Sequence, residues 1–258
     1  SISINNAEGN CVGEGTFEKI SPPGHKRREV VSKCPPGALR VTPGFNTLQN
    51  AVDEAAEKSI KNIYLEKGIH KIISNGELQN MVDIPSSVAI IGASRTECIV
   101  IGGFSCTNNW RQKEVHVIIK TMTIRDSLVD GVLVDNGVSL HLENLFIDQC
   151  SIGVFMNKLE DSTMHNCEIS NSKFNGVLLV SGKLTITGRF NLIRNNCQNG
   201  QRNHFGLHAK NGAHIEIQSP TTNILELMCT NNGGAGNYGG GGKIEQVFCI
   251  GKESKIPW

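Results

Sequence analysis

The stretch QRNHFGLHAK, residues 201–210, concentrates ionisable chemistry in one place: Arg202, His204, His208 and Lys210. Arginine and lysine can neutralise a uronate carboxylate, and a histidine can take up the adjacent proton. That is the logic of a metal-free lyase or epimerase. The same four residues also read as a basic surface loop. The two histidines stand four apart, but no third ligand follows at a clear spacing, so the sequence calls for no metal. A glycosidase needs two carboxyl groups about 5–10 Å apart. Glu143 and Glu216 would lie some three coils apart, about 14 Å by strand spacing. Glu160 and Asp161 are adjacent and should point to opposite sides. Asp130 and Asp135 flank one short segment with no acidic counterparts in the next two coils. No complete catalytic constellation emerges, and no cofactor signature either. GGAGNYGGGG, 233–242, does not join a strand to a helix as a phosphate-binding loop must. Trp110, in TNNWRQ, offers a surface for sugar stacking or for local packing.

A second candidate site is a face. In VSLHLEN, 138–144, alternation turns Val138, Leu140 and Leu142 inward and Ser139, His141 and Glu143 outward. One repeat later Thr163 should stand near His141, and His165 near Glu143. Thr185 and Thr187 follow, then His214, Glu216 and Gln218. Such a flat face of hydroxyls, imidazoles and carboxylates could hydrogen-bond a sugar chain lying along the stack; it is also what any solvent-facing sheet presents. A third candidate is apolar. In GVLV, GVFM and GVLL the residues Leu133, Phe155 and Leu178 point outward, with His208 in line after them. Such a stripe asks for cover, either from the chain's own N-terminal or Gly-rich segments or from another subunit.

These faces need a scaffold that repeats. Gly131, Gly153 and Gly176 are 22 and 23 residues apart, and Gly206 follows after a polar insertion, CQNGQRNH. Three short β segments per period of this length fit one coil of a parallel β-helix, which buries its inside only when coils stack about 4.8 Å apart. Val132, Val154 and Val177 should then touch in vertical register, with Val134, Met156 and Leu179 beside them. Asn171, Asn195, Asn196, Asn231 and Asn232 fall at corners, where asparagine tolerates left-handed backbone. Residues 46–58 read as a helix with Leu48, Ala51, Val52, Ala55 and Ala56 on one face, Asn46 as cap and Gln49 as its capping-box partner.

TLQNAVDEAAEKSIKNIYLEKGIHKI, ahead of VDIPSSVAIIGAS, resembles the N-terminal cap and first coils of right-handed β-helix proteins of the pectin-lyase-like superfamily. The later repeats are similar to the carbohydrate-binding and sugar-hydrolase type found in F-box β-helix, Shc-SH2-binding and viral β-helix proteins. The resemblance covers roughly residues 42–232. It implies an all-β fold, a single-stranded right-handed parallel β-helix with an N-terminal capping helix. For activity it leaves lyases, hydrolases, epimerases, fibres and non-catalytic modules open. The expected organisation is an extended arm over 1–41, the β-helix over 42–250 with a Gly-rich cover at 231–242, and a tail over 251–258.

A formal charge of +1 argues against nucleic acid or an acidic membrane as partner, despite the basic run HKRREVVSK at 25–33. No apolar run reaches membrane-spanning length. The nine cysteines are odd in number and lack any C-x-x-C pair. With Cys150, Cys167 and Cys197 expected at comparable places in successive repeats, they read as stacked, reduced thiols, placing the protein inside a cell or in a virion. The functional expectation is a non-catalytic module binding a polysaccharide or a protein partner. A polysaccharide lyase or epimerase is the alternative, and so is a structural oligomer such as a trimeric viral fibre; the chain could otherwise be monomeric.

Overall fold

The computed structural model describes residues 2–5, 11–15, 30–73, 80–107, 115–159, 161–220 and 223–249. Trp110, Glu160, part of the basic run and the 251–258 tail lie outside them. Ile2–Asn5 and Cys11–Gly15 pair antiparallel as a small sheet of their own. The remaining strands form three sheets of seven, nine and eight members, and every pairing within them is parallel. Each complete coil contributes one strand to each sheet, for example Asp130–Asp135, Val138–Glu143 and Phe146–Asp148. The next coil repeats the order with Ile152–Met156, Ser162–His165 and Glu168–Ser170. The chain is a parallel β-helix.

The expected vertical register holds. Val132 pairs with Val154, Val154 with Val177, and Val177 with Leu207, all fully buried. Val134, Met156, Leu179 and Ala209 form a second buried column. The sheet of Val138–Glu143, the long sheet, contributes Leu140 and Leu142. The third sheet closes the interior with Ile124, Ile147, Ile169 and Ile193. A polar residue enters this core at Ser162, which stands above Leu140 and whose Oγ accepts the Leu140 N–H at 2.9 Å. The recurring glycine has a steric cause. A Cβ on Gly153 would lie 2.5 Å from the carbonyl oxygen of Gly176 and 2.3 Å from Ile169 Cγ2, and Gly131 and Gly176 are equally enclosed. Only a residue without Cβ lets the chain turn so tightly into the first sheet.

Corners follow the same rule. Asn144 and Asn166 turn left-handed between the long and third sheets (φ 52 for both), and Asn171, Asn195 and Asn231 do so after the third (φ 54–56). Asn196 and Asn232 instead point inward as a ladder: Asn196 Nδ2 donates to Asn232 Oδ1 at 3.0 Å and to Ile169 O at 3.1 Å. These bonds replace backbone partners that a bend takes away.

Several details differ from expectation. The helix runs Thr47–Glu57 and buries Leu48, Ala51, Val52 and Ala55, but the capping box does not form. Asn46 Oδ1 accepts the N–H of Ile73, and Gln49 Oε1 accepts that of Asp83, so both side chains stitch the helix to the first coils. Gly236–Gly239 is a regular strand on Phe205–Ala209, not an irregular cover, because its neighbour supplies the hydrogen bonds glycine cannot organise alone. The three cysteines do not stack together. Cys150 shares its place with Ser172 and Asn196, after the third sheet, whereas Cys167 shares its place with Leu145, before it. Eight of the cysteines, all but Cys11, are free thiols, and six of these are buried. No described helix is long and apolar enough to cross a membrane. Finally, the described residues 30–38 of the arm lie away from the Leu133 stripe. Ser32 N donates to Ala93 O, and Tyr64 Oη donates to Ser32 O, so residues 31–38 cover Tyr64, Ile91 and Ala93 on the long sheet's first rungs.

Candidate functional site

The outer face of the long sheet assembles every residue expected on it. His141 pairs in register with Thr163 and Glu143 with His165; Thr185 and Thr187 follow on the next rung. Lys183 then faces His214, and Thr185 faces Glu216. Ser139, His141, Glu143, Thr163 and His165 therefore occupy two adjacent rungs, and His214 and Glu216 lie two rungs further along.

Most of these groups bond to one another. Ser139 Oγ donates to the Asp161 carbonyl at 2.8 Å, and His141 Nδ1 hydrogen-bonds Thr163 Oγ1. Asn166 fixes the tautomer of His165. Its Oδ1 accepts the Phe190 N–H at 3.2 Å, so its Nδ2 must be the group that donates to His165 Nε2 at 2.8 Å. The ring proton then sits on Nδ1, which donates to Thr187 Oγ1 at 2.9 Å. The His141 ring, 3.7 Å from Glu143, is the largest influence holding that carboxyl below the ordinary range, with Lys120 at 4.0 Å adding to it. Glu216 is held low by Gln218 Nε2 at 2.6 Å and Lys183 Nζ at 3.0 Å.

Glu245 is the residue that sequence reasoning missed. It lies in the last strand, Lys243–Phe248, directly opposite Glu216 on the adjacent rung. Lys243 Nζ at 2.7 Å and His214 Nε2 at 2.5 Å hold it below the usual carboxylate range. The signal was the alternation in KIEQVF, but the Gly-rich segment before it hides the register.

The 201–210 cluster is brought together in part. His204, His208 and Lys210 are close enough to act on one another, while Arg202 is exposed. His208 is buried on the first sheet, in line with Leu178. Here again an asparagine that the sequence reading passed over fixes the ring. Asn175 Oδ1 accepts the Phe205 N–H at 3.3 Å, and its Nδ2 donates to His208 Nδ1 at 2.9 Å. The proton of His208 must therefore sit on Nε2. Burial first, and the Lys210 charge second, push both His204 and His208 below the usual imidazole range. His204 packs edge-on against Phe174, with ring centroids 5.0 Å apart. Along the apolar stripe, Leu133 and Phe155 are half-buried and Leu178 is buried.

Chemically, the long-sheet face is an array of donors and acceptors whose three glutamates are all stabilised as carboxylates. The described carboxyl that is clearly raised is Asp130, pushed up to about 6 by burial against the Ile152 N–H bond that favours its charged form. The residue at its place on the next rung is Ile152, so it has no carboxylate partner there. No family model, curated protein or solved structure matches this chain.

Proposed function

We propose that this chain is a non-catalytic β-helix module of the pectin-lyase-like kind that binds a saccharide chain along the outer face of its long sheet. One observation carries the reading: Glu143, Glu216 and Glu245 are each held in the carboxylate form by cationic or amide partners, so no carboxyl of this face is poised as a general acid. Acid–base turnover needs a proton donor poised near the working pH, whereas recognition needs only a fixed pattern. The pattern here is fixed, because the Asn166–His165–Thr187 chain locks ring and hydroxyl in place. Repetition of hydroxyl and imidazole groups at about 4.8 Å suits a polymer more than a compact ligand. The eight free thiols fit a reducing cell interior or a virion.

A glycan array read with the wild-type chain and with His165→Ala tests this. Binding to a polysaccharide that the variant loses supports the reading; binding unchanged in the variant, or none across the array, sinks it. The lyase or epimerase alternative draws on neutral His204 and His208 beside Lys210. It predicts unsaturated products from a uronate polymer, measured by ultraviolet absorbance, and their loss in His208→Ala. An oligomer through Leu133 and Phe155 would show as a multiple of the 28.0 kDa chain mass in light scattering.

A further inference from the structure

The last two rungs of the long sheet differ from the rest of its outer face. Glu216 and Glu245 stand directly opposite each other on adjacent parallel strands, a placement in which like charges repel. His214 lies two residues before Glu216 and faces the same way, with Nε2 2.5 Å from Glu245 Oε1. One ligand atom from each of the three lies within 4.8 Å of the others. The rung that carries Glu245 also leaves inward positions open. Gln246 and Phe248, in register with buried Ile217 and Ser219, are exposed, Phe248 by 52%.

We propose that His214, Glu216 and Glu245 bind a divalent transition-metal ion that staples the last rung of the long sheet to the rung before it. One imidazole nitrogen and two carboxylate oxygens are the donor set of such an ion, with water completing the shell. The nitrogen favours zinc and its neighbours over calcium or magnesium, which prefer oxygen alone. The ion takes the place of the Nε2 proton that His214 now donates to Glu245, and the neutral ring that ligates through Nε2 carries its proton on Nδ1. Nitrogen and oxygen must then part from 2.5 Å to about 3–3.5 Å, the spacing of two ligands on one zinc. Half-exposed side chains can rotate that far. Two ammonium groups stand in competition: Lys183 on Glu216 Oε2 and Lys243 on Glu245 Oε2. Both are surface pairs, which are weak and readily exchanged. The ion site shares His214, Glu216 and Glu245 with the face proposed to bind saccharide, and zinc is titrated without saccharide, so that either reading can fail alone.

The test is titration of the full chain with zinc chloride by calorimetry, calcium chloride as comparator, joined to hydrogen exchange of residues 243–248. The expected result is one zinc per chain and slower exchange in that strand. His214→Ala and Glu245→Gln should each weaken zinc binding at least tenfold. Lys183→Met and Lys243→Met should tighten it severalfold, a direction that a misfolded variant cannot imitate. Zinc held by other histidines or by free thiols would survive His214→Ala and Glu245→Gln, and that result overturns the proposal. So does an absence of zinc binding, calcium bound as tightly as zinc, or exchange in 243–248 that zinc leaves unchanged.

Discussion

The outer faces of the first and long sheets belong to the same coils yet obey different rules. On the long sheet, polar side chains reach from rung to rung and bond one another: His141 to Thr163, His165 to Thr187, Lys183 to Glu216. On the first sheet the column Leu133–Phe155–Leu178 passes from half-buried to buried and ends on His208. The histidines sharpen the contrast. Each is held by an asparagine whose oxygen is pinned by a backbone N–H, but on opposite ring nitrogens: Asn166 takes Nε2 of His165, and Asn175 takes Nδ1 of His208. The same two residue types thus leave His165 with both nitrogens committed in a self-satisfied surface, and His208 with an N–H on Nε2 beside Lys210. Parallel stacking imposes a repeating register on both faces; what crosses the corners decides which side chains are left with something to offer.

The largest test of that contrast removes core volume beneath one face and surface volume from the other. Leu142→Ala, under the polar face and essentially buried, should cost about 2–5 kcal/mol in urea unfolding. Leu133→Ala, on the outer stripe, should cost about 1 kcal/mol or less. Equal losses would mean the stripe is core, covered in solution by something that binds it.

Next in size is the turn that feeds the first sheet. Gly153→Ala places a Cβ 2.3 Å from Ile169 Cγ2, and overpacking of this kind costs about 1–3 kcal/mol. A neutral result would show that the rungs can slide apart without penalty.

A third test uses equivalent positions on the first sheet. Asp130 and Asn175 share one register, two rungs apart, and each accepts an N–H from the following rung. Asp130 titrates at about 6, above its ordinary 3.8, so the folded chain holds the proton more tightly than the unfolded one. Its stabilising contribution is complete below the ordinary value and is lost as pH rises through about 6. Asp130→Asn mimics the protonated form at every pH. It should raise stability by up to about 3 kcal/mol at pH 8 and leave it nearly unchanged near pH 3.5, as thermal melts at the two pH values will show. A variant less stable at pH 8 would mean that a carboxylate is needed there.

The smallest effect is read in imidazole tautomers. Nitrogen-15 spectra of the imidazoles at neutral pH should show the proton of His165 on Nδ1 and that of His208 on Nε2. Finding both on the same nitrogen would erase the distinction between the faces, and Asn175→Ala should release His208 alone to exchange between tautomers.

The period of the apolar residues was enough to specify the coil, its inward columns and the pairing of His141 with Thr163 and Glu143 with His165. Alternation is a local property of a strand, and a repeat of constant length carries it from one rung to the next without knowledge of anything distant. Where the chain leaves that period, the sequence loses its hold. Glu245 meets Glu216 only after a short helix, Ile224–Met228, and a glycine-rich strand have each taken their place in the stack. Asn46 and Gln49 read as helix caps, but the open backbone N–H groups of Ile73 and Asp83 claim them. Arg95 reaches Glu168, 73 residues away, at 3.0 Å, where Arg194 on the next rung meets it at 2.7 Å. Residues 31–38 of the arm settle over Tyr64 and Ile91, not over the Leu133 stripe. Such contacts depend on how loops of unequal length close in space and on which buried donors and acceptors still need partners, and only the assembled three-dimensional stack determines either.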